Sequence, residues 1–183
     1  LTELRRMSLA FQGIGSVGRS MVGGSPAAVD LAIEEACRII EARAQHRGVA
    51  LGTQVDPMPL LPLDLSVVRA VTFNLVNNAV QACRPGDAVR VSAGLVGQVL
   101  TLTVRDTGRG MSDEVKARCL RPFFTTRPNG SGLGLVICRE AVGEAGGTLR
   151  LESAPGLGTT VTVTVPVPPA RRPTGNLPTL GVN

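Results

Sequence analysis

Tryptophan and tyrosine are absent from this chain, and phenylalanine occurs only four times in 183 residues. With so few rings to stack on bases and its arginines dispersed, the net charge of +5 does not read as a nucleic-acid surface. Lysine occurs once, as Lys116, and histidine once, as His46. The four cysteines, Cys37, Cys83, Cys119 and Cys138, form no CxxC pair and no cysteine–histidine cluster, so they read as reduced thiols of a cytoplasmic protein. No apolar run approaches the ~20 residues of a membrane-spanning helix. The N-terminus lacks the charged-then-apolar layout of a signal peptide.

What is present suits a globular domain with a real core: 43% hydrophobic and 18% charged residues. Leu4, Met7, Phe11, Ile14 and Met21 approach a heptad seam, although Gly13, Gly15 and Gly18 weaken any helix there. Residues 1–25 are therefore expected to be the end of a helical dimerisation segment and its linker. Ser25 as N-cap and Pro26 at the first position predict a helix over 26–47 that stops at Gly48. A strand over 49–55, a loop at the proline-rich DPMPLLPLD, and a helix capped by Asp64 and running to about Cys83 come next. Alternation over 89–95 and 99–104 around Gly97-Gln98 predicts a hairpin. Ser112 caps a short helix, another helix spans about 132–145, and strands over 148–153 and 159–165 close the domain. The expected fold class is α+β, a two-layer sandwich with helices on one face of a mixed, mostly antiparallel sheet, over 26–166. The Pro-rich segment 167–183 is expected to be a disordered tail.

Three stretches carry chemistry. In the helix after Asp64, Asn74, Asn78 and Gln81 share one face beside the apolar stripe Val68, Val71, Leu75, Ala79 and Ala82. Asparagine is a poor helix former, so Asn74, Asn77 and Asn78 in five residues ask for a reason. A solvated helix face is one reading. A Mg²⁺ site is the other, in which an amide oxygen adds a neutral hard ligand to those of a substrate phosphate. In Asp106-Thr-Gly-Arg-Gly-Met111 an acid at a strand end precedes two glycines. A plain Asp-Gly turn accounts for that stretch taken alone. A carboxylate accepting the amine hydrogen of adenine, with glycines giving the flat base room, accounts for it too. In RPFFTTRPNGSGLGL, alternating Gly130, Gly132 and Gly134 open a helix, an arrangement that aims N–H groups at an anion but does not match a P-loop. Arg127 offers forked donors to a phosphate or simply faces solvent.

The three stretches in this order resemble the GHKL ATPase superfamily of histidine kinases, gyrase, mismatch-repair and chaperone ATPases. NLVNNAVQA is similar to the N box, DTGRGM to the G1 box, RPFFTT to the F box, GSGLGL to the G2 box, and GLGTTVTVTVPV to the closing Gly-Thr strand. The short distance from F box to G2 box resembles sensor histidine kinases, and PFFTT with a short lid resembles their nitrogen-regulation type. The resemblance implies a Bergerat fold that binds ATP and Mg²⁺ under a lid at about 111–129. It implies that Asn78 coordinates the metal, that Asn74 lies towards the phosphates and their water, and that Asp106 reads adenine with Gly108 and Gly110 beside the base. It places Thr159 by the adenine through water, and Arg127 where many relatives carry lysine, giving Asn74 and Arg127 as the catalytic candidates. It adds Gln81, Met111, Phe124, Thr125, Gly130, Ser131, Gly132, Leu133, Gly134 and Leu135 to the nucleotide-binding set.

A histidine kinase needs an acceptor histidine on a helical domain, usually followed by an acid. His46 lies between Gln45 and Arg47 at a helix end and has a cap or surface role. The expectation is an ATP-binding catalytic unit that transfers the γ-phosphoryl to a histidine outside this chain, on the dimerisation domain of a homodimeric parent, for relay to a response regulator. Two alternatives stand beside it: an anti-sigma-type serine kinase of the same superfamily, and a non-catalytic nucleotide-binding docking module.

Overall fold

The computed structural model describes residues 21–127 and 130–168. Most of the heptad-like segment, most of the tail, and two lid residues lie outside the described residues. The elements run β1 (Val22–Ala27), α1 (Val29–His46), β2 (Ala50–Val55), β3 (Leu61–Leu63), α2 (Leu65–Ala82), β4 (Ala88–Val96), β5 (Val99–Asp106), α3 (Asp113–Arg118), α4 (Gly134–Glu144), β6 (Thr148–Ala154) and β7 (Gly158–Pro166). The main sheet has the order β2-β4-β5-β7-β6, and only β2–β4 is parallel. Helices α1, α2 and α4 cover one face, so the expected α+β two-layer sandwich is what forms.

The layers meet through period-matched apolar faces. In α1 the buried set Val29, Ala32, Ile33, Ala36, Cys37, Ile40 and Ala44 recurs at three and four residues. In β7, Val161, Val163 and Val165 point into the core while Thr160, Thr162 and Thr164 lie on the other face. Asp64 caps α2 by accepting the Ser66 N–H at 2.8 Å, and Ser112 caps α3 by accepting that of Val115 at 3.3 Å. Val96 faces Val99 across the hairpin turn, where Gly97 takes φ +61°. All four cysteines are buried; burial raises their thiol pKa values, that of Cys83 to about 11, which leaves no thiolate nucleophile.

Two expectations are corrected. Ser25 and Pro26 do not start α1, which begins at Val29; they belong to β1, which pairs with β3 through Val22↔Leu63 and Ala27↔Leu61 with a register shift between. Proline's fixed φ and missing N–H are tolerated in such an edge strand as readily as at a helix start. Within the expected proline loop, Leu61 and Leu63 alternate inward around Pro62 and form β3. Residues just outside 26–166 also pack on the domain. Met21 is buried and its carbonyl accepts the Asp64 N–H at 2.7 Å, and the buried Val167 donates its N–H to the Gln98 carbonyl at 2.7 Å.

Candidate functional site

Between α2, the end of β5, the segment 109–135 and β7 lies a cavity of about 410 Å³. Asp106 forms one part of it. The β5–β7 register sets Asp106 opposite Thr159, and the carboxylate Oδ1 accepts the backbone N–H groups of Gly108 at 2.9 Å and Thr159 at 3.2 Å. The side chain is 4% exposed, and Oδ2 has no partner among the described residues. Burial lifts the carboxyl above its ordinary 3.8, the two N–H donors pull it back, and Asp87 adds a smaller upward push. One oxygen is thus fixed by the backbone and the other is open to the cavity that Asp106 lines. The Thr159 hydroxyl is engaged with Ser153 Oγ at 2.9 Å, so this residue acts on Asp106 through its backbone.

The amide face of α2 forms another wall, with Asn74, Asn77, Asn78 and Gln81 all lining the cavity. Asn74 Nδ2 donates to the Ala70 carbonyl at 3.0 Å, which leaves Oδ1 as the outward acceptor. The start of α4 packs against this face: a Cβ on Gly134 would lie 3.1 Å from Asn74 Oδ1 and 3.9 Å from Asn78 Nδ2. The α4 N-terminus, with its unpaired N–H groups and positive dipole end, therefore sits beside two of the asparagines.

Arg127 arrives from the segment between α3 and α4. Its Nη1 donates to Asn78 Oδ1 at 3.1 Å and to Gln81 Oε1, and its Nη2 donates to the Asn78 carbonyl at 3.3 Å. No carboxylate pairs with it among the described residues. Burial, then the charges of Arg109, Arg43 and Arg47, lower its pKa, so this guanidinium is held by neutral oxygens and repelled by its charged neighbours.

Most of the residues singled out in the sequence meet here. Asn74, Asn78, Gln81, Asp106, Gly110, Met111, Phe124, Thr125, Arg127, Gly130, Ser131, Gly132, Gly134, Leu135 and Thr159 line one cavity. Gly108 and Leu133 do not. Gly108 gives its N–H to Asp106, and Leu133 is the N-cap residue of α4, its N–H donated to Ser131 Oγ at 3.4 Å. The glycines of DTGRGM also have a packing role that the sequence did not suggest. A Cβ on Gly108 would press against the Ala82 carbonyl, and one on Gly110, at φ +63°, would run into the Ala154 carbonyl oxygen. Both lack side chains so that backbone can pass backbone. Phe123, at φ +63°, is 75% exposed, whereas Phe124 lines the cavity with the Arg118 guanidinium 4.5 Å from its ring centre. His46 is exposed and does not line the cavity.

Sequence reasoning missed Arg109, which lines the cavity and donates to Thr126 Oγ1 at 3.2 Å, and Arg43, which donates to Asn77 Oδ1 at 3.0 Å. Arg109 lies inside the G1 stretch and could have been weighed as a second cation. Arg43 is 34 residues from its partner, and no local pattern links them.

A family model described as histidine kinase-, DNA gyrase B- and HSP90-like ATPase matches residues 64–169. The chain is 36% identical over 149 residues to the C4-dicarboxylate transport sensor protein DctS of Rhodobacter capsulatus, spanning 78% of this chain and 23% of DctS. It is 32% identical over 143 residues to the sensor histidine kinase ZraS of Escherichia coli, spanning 76% of this chain and 31% of ZraS. It therefore covers less than a third of the length of either relative. Among solved structures it is similar to the catalytic domain of histidine kinase ThkA, with a TM-score of 0.69 and 25% identity over 78% of this chain and 94% of that one. The chain belongs to the histidine kinase-, DNA gyrase B- and HSP90-like ATPase family and is homologous to the catalytic domains of sensor histidine kinases.

Proposed function

We propose that this chain is the ATP-binding catalytic unit of a sensor histidine kinase, with adenine at Asp106 and the polyphosphate between α2, Arg127 and the start of α4. The observation that carries the reading is the make-up of the cavity. It joins a buried carboxylate with one open oxygen to a guanidinium that has no carboxylate partner among the described residues. A molecule with a hydrogen-bond donor on a flat base and an anionic tail satisfies both.

The donor set fits Mg²⁺ bound together with a nucleotide. Asn78 offers a neutral amide oxygen that already accepts from a cation, and the described residues contain no cluster of three or more His, Cys, Asp or Glu able to cage an ion alone. When bound, the ion would supply charge neutralisation at the phosphate oxygens. The protein's own part is positioning and electrostatics. Asp106 fixes the base, Asn74 presents Oδ1 towards the phosphate end, and Arg127 and Arg109 face the developing negative charge. The N–H groups at the start of α4 face it too. The bond between the γ-phosphorus and the β–γ bridging oxygen breaks, a phosphorus–nitrogen bond forms to an imidazole, and ADP leaves. That imidazole belongs to a dimerisation domain of the parent, from which a response regulator takes the phosphoryl. A parent homodimer, a cytoplasmic location and the narrower nitrogen-regulation type complete the reading. No helix among the described residues is long and apolar enough to cross a membrane.

Incubation with γ-labelled ATP, Mg²⁺ and the parent's dimerisation domain tests it. Label that is lost in acid and stable in base is the expected product. Acid-stable label would assign a serine kinase, and tight nucleotide binding without transfer would assign a docking module.

A further inference from the structure

The metal-binding amide proposed above is not free in this structure: Arg127 holds it. Its Nη1 takes both Asn78 Oδ1, at 3.1 Å, and Gln81 Oε1, while Nη2 takes the Asn78 main-chain carbonyl at 3.3 Å. Asn78 and Gln81 stand on α2, whose apolar stripe is buried in the core. Arg127 stands on the stretch 124–127, which lies outside any helix or strand. The three hydrogen bonds therefore tie the described part of the lid, through Arg127, to the rigid layer at the point where the polyphosphate would enter.

A guanidinium at this distance and a divalent cation cannot share one amide oxygen, because two like charges would lie within a few ångströms of each other with little water between. Resting on the nucleotide reading above, we propose that Arg127 is an internal counter-cation: it occupies the Asn78 oxygen in the nucleotide-free protein and yields it when nucleotide and metal arrive, so that metal loading and lid release are one event. The surroundings favour the exchange. The acceptors that hold Arg127 are all neutral, and Arg109, Arg43 and Arg47 repel it. Incoming phosphates reverse the sign of that field. Arg127 then exchanges neutral acceptors for anionic phosphate oxygens, where donor and acceptor are both charged and the bonds are stronger. Gln81 Oε1 tunes the device, since it adds an acceptor to the latch without being a proposed metal ligand.

Hydrogen exchange and calorimetry on the whole chain test both halves, using wild type, Arg127→Met, Asn78→Ala and the double variant. Circular dichroism first establishes that each is folded; Arg127 sits on a surface segment and its loss leaves the core intact. Without nucleotide, Arg127→Met is expected to speed amide exchange in 121–127 by about tenfold, the worth of a hydrogen bond to a charged group, and Asn78→Ala, which leaves Gln81 Oε1 and the main-chain carbonyl of residue 78 as acceptors, by less. The double variant should exchange no faster than Arg127→Met alone. Wild-type exchange in nucleotide-free Arg127→Met would overturn the latch. With ADP as the probe, the ratio of affinity in Mg²⁺ to affinity in EDTA is expected to rise in Arg127→Met but not when the same change is made on Asn78→Ala. An unchanged ratio, or an equal rise in both backgrounds, would show that Arg127 acts on the phosphates alone and would overturn the exchange. Should ADP bind to none of the four proteins, the nucleotide reading fails, and the exchange measurement still decides whether the latch exists.

Discussion

At the residue scale the account turns on Asp106. Its Oδ1 is committed to the N–H groups of Gly108 and Thr159, and asparagine can keep those bonds with its own Oδ1. It would then present an amide N–H₂ to the cavity, where a donor is expected. Asp106→Asn should weaken ADP or ATP binding by about ten- to a hundredfold, the loss of a hydrogen bond to a charged acceptor, measured by calorimetry. Stability should not fall with it. Burial raises the Asp106 pKa above 3.8, so the folded state holds this proton more tightly than the unfolded chain does. The resulting cost to stability is absent below 3.8, grows as pH rises towards the raised value, and is complete once pH exceeds it. Asp106→Asn removes that cost, and its melting temperature at neutral pH should equal or exceed wild type; a clear drop would show that the carboxylate holds the fold rather than the ligand. The neighbouring prediction concerns Asn78. Asn78→Ala should bring ADP affinity in Mg²⁺ and in EDTA close together, and an undiminished Mg²⁺ dependence would remove the metal role.

At the scale of the element, backbone crowding is the variable that sequence patterns do not carry. Gly110 and Gly156 both have positive φ, +63° and +73°, but only Gly110 has backbone where a Cβ would go. Gly156→Ala should cost ~1 kcal/mol, the strain of the left-handed conformation alone. Gly110→Ala should cost more, by a further ~1–3 kcal/mol of overpacking, read from chemical denaturation of both variants. Equal losses would mean that the approach of 110 to 154 is not tight. This also explains what was legible. The helices and the hairpin could be read because their signals are local: Asp64 and Ser112 as caps, Gly97 as the turn residue, a two- or three-to-four-residue period in between. β1 and β3 could not, since Pro26 and Pro62 read as a helix start and a loop until each strand supplies the other's partner. Most of the candidate site was legible for a different reason: Asn74, Asn78 and Gln81 are one helix face, and a helix period alone brings them together. What was missed is long-range. The Arg43–Asn77 bond and the use of Gly108 and Gly110 against backbone depend on packing between layers.

At the scale of the whole molecule, the sheet order places the end of β5 beside β7 and behind α2. That geometry puts the Asp106 carboxylate and the amide face on two walls of one cavity that Arg127 also lines. His46, the chain's single histidine, does not line that cavity, in keeping with the proposal that the acceptor lies outside this chain. The central claim is that the cavity takes a purine nucleotide through Asp106 and a metal-bridged polyphosphate through Asn78. The most direct measurement is calorimetric titration of the folded chain with ADP and with GDP in Mg²⁺, beside Asp106→Asn under the same conditions. The account predicts saturable binding of ADP, much weaker binding of GDP, whose carbonyl meets the carboxylate where adenine has an amine, and loss of ADP binding in the variant. Equal binding of the two nucleotides, or ADP binding that survives in Asp106→Asn, would contradict it.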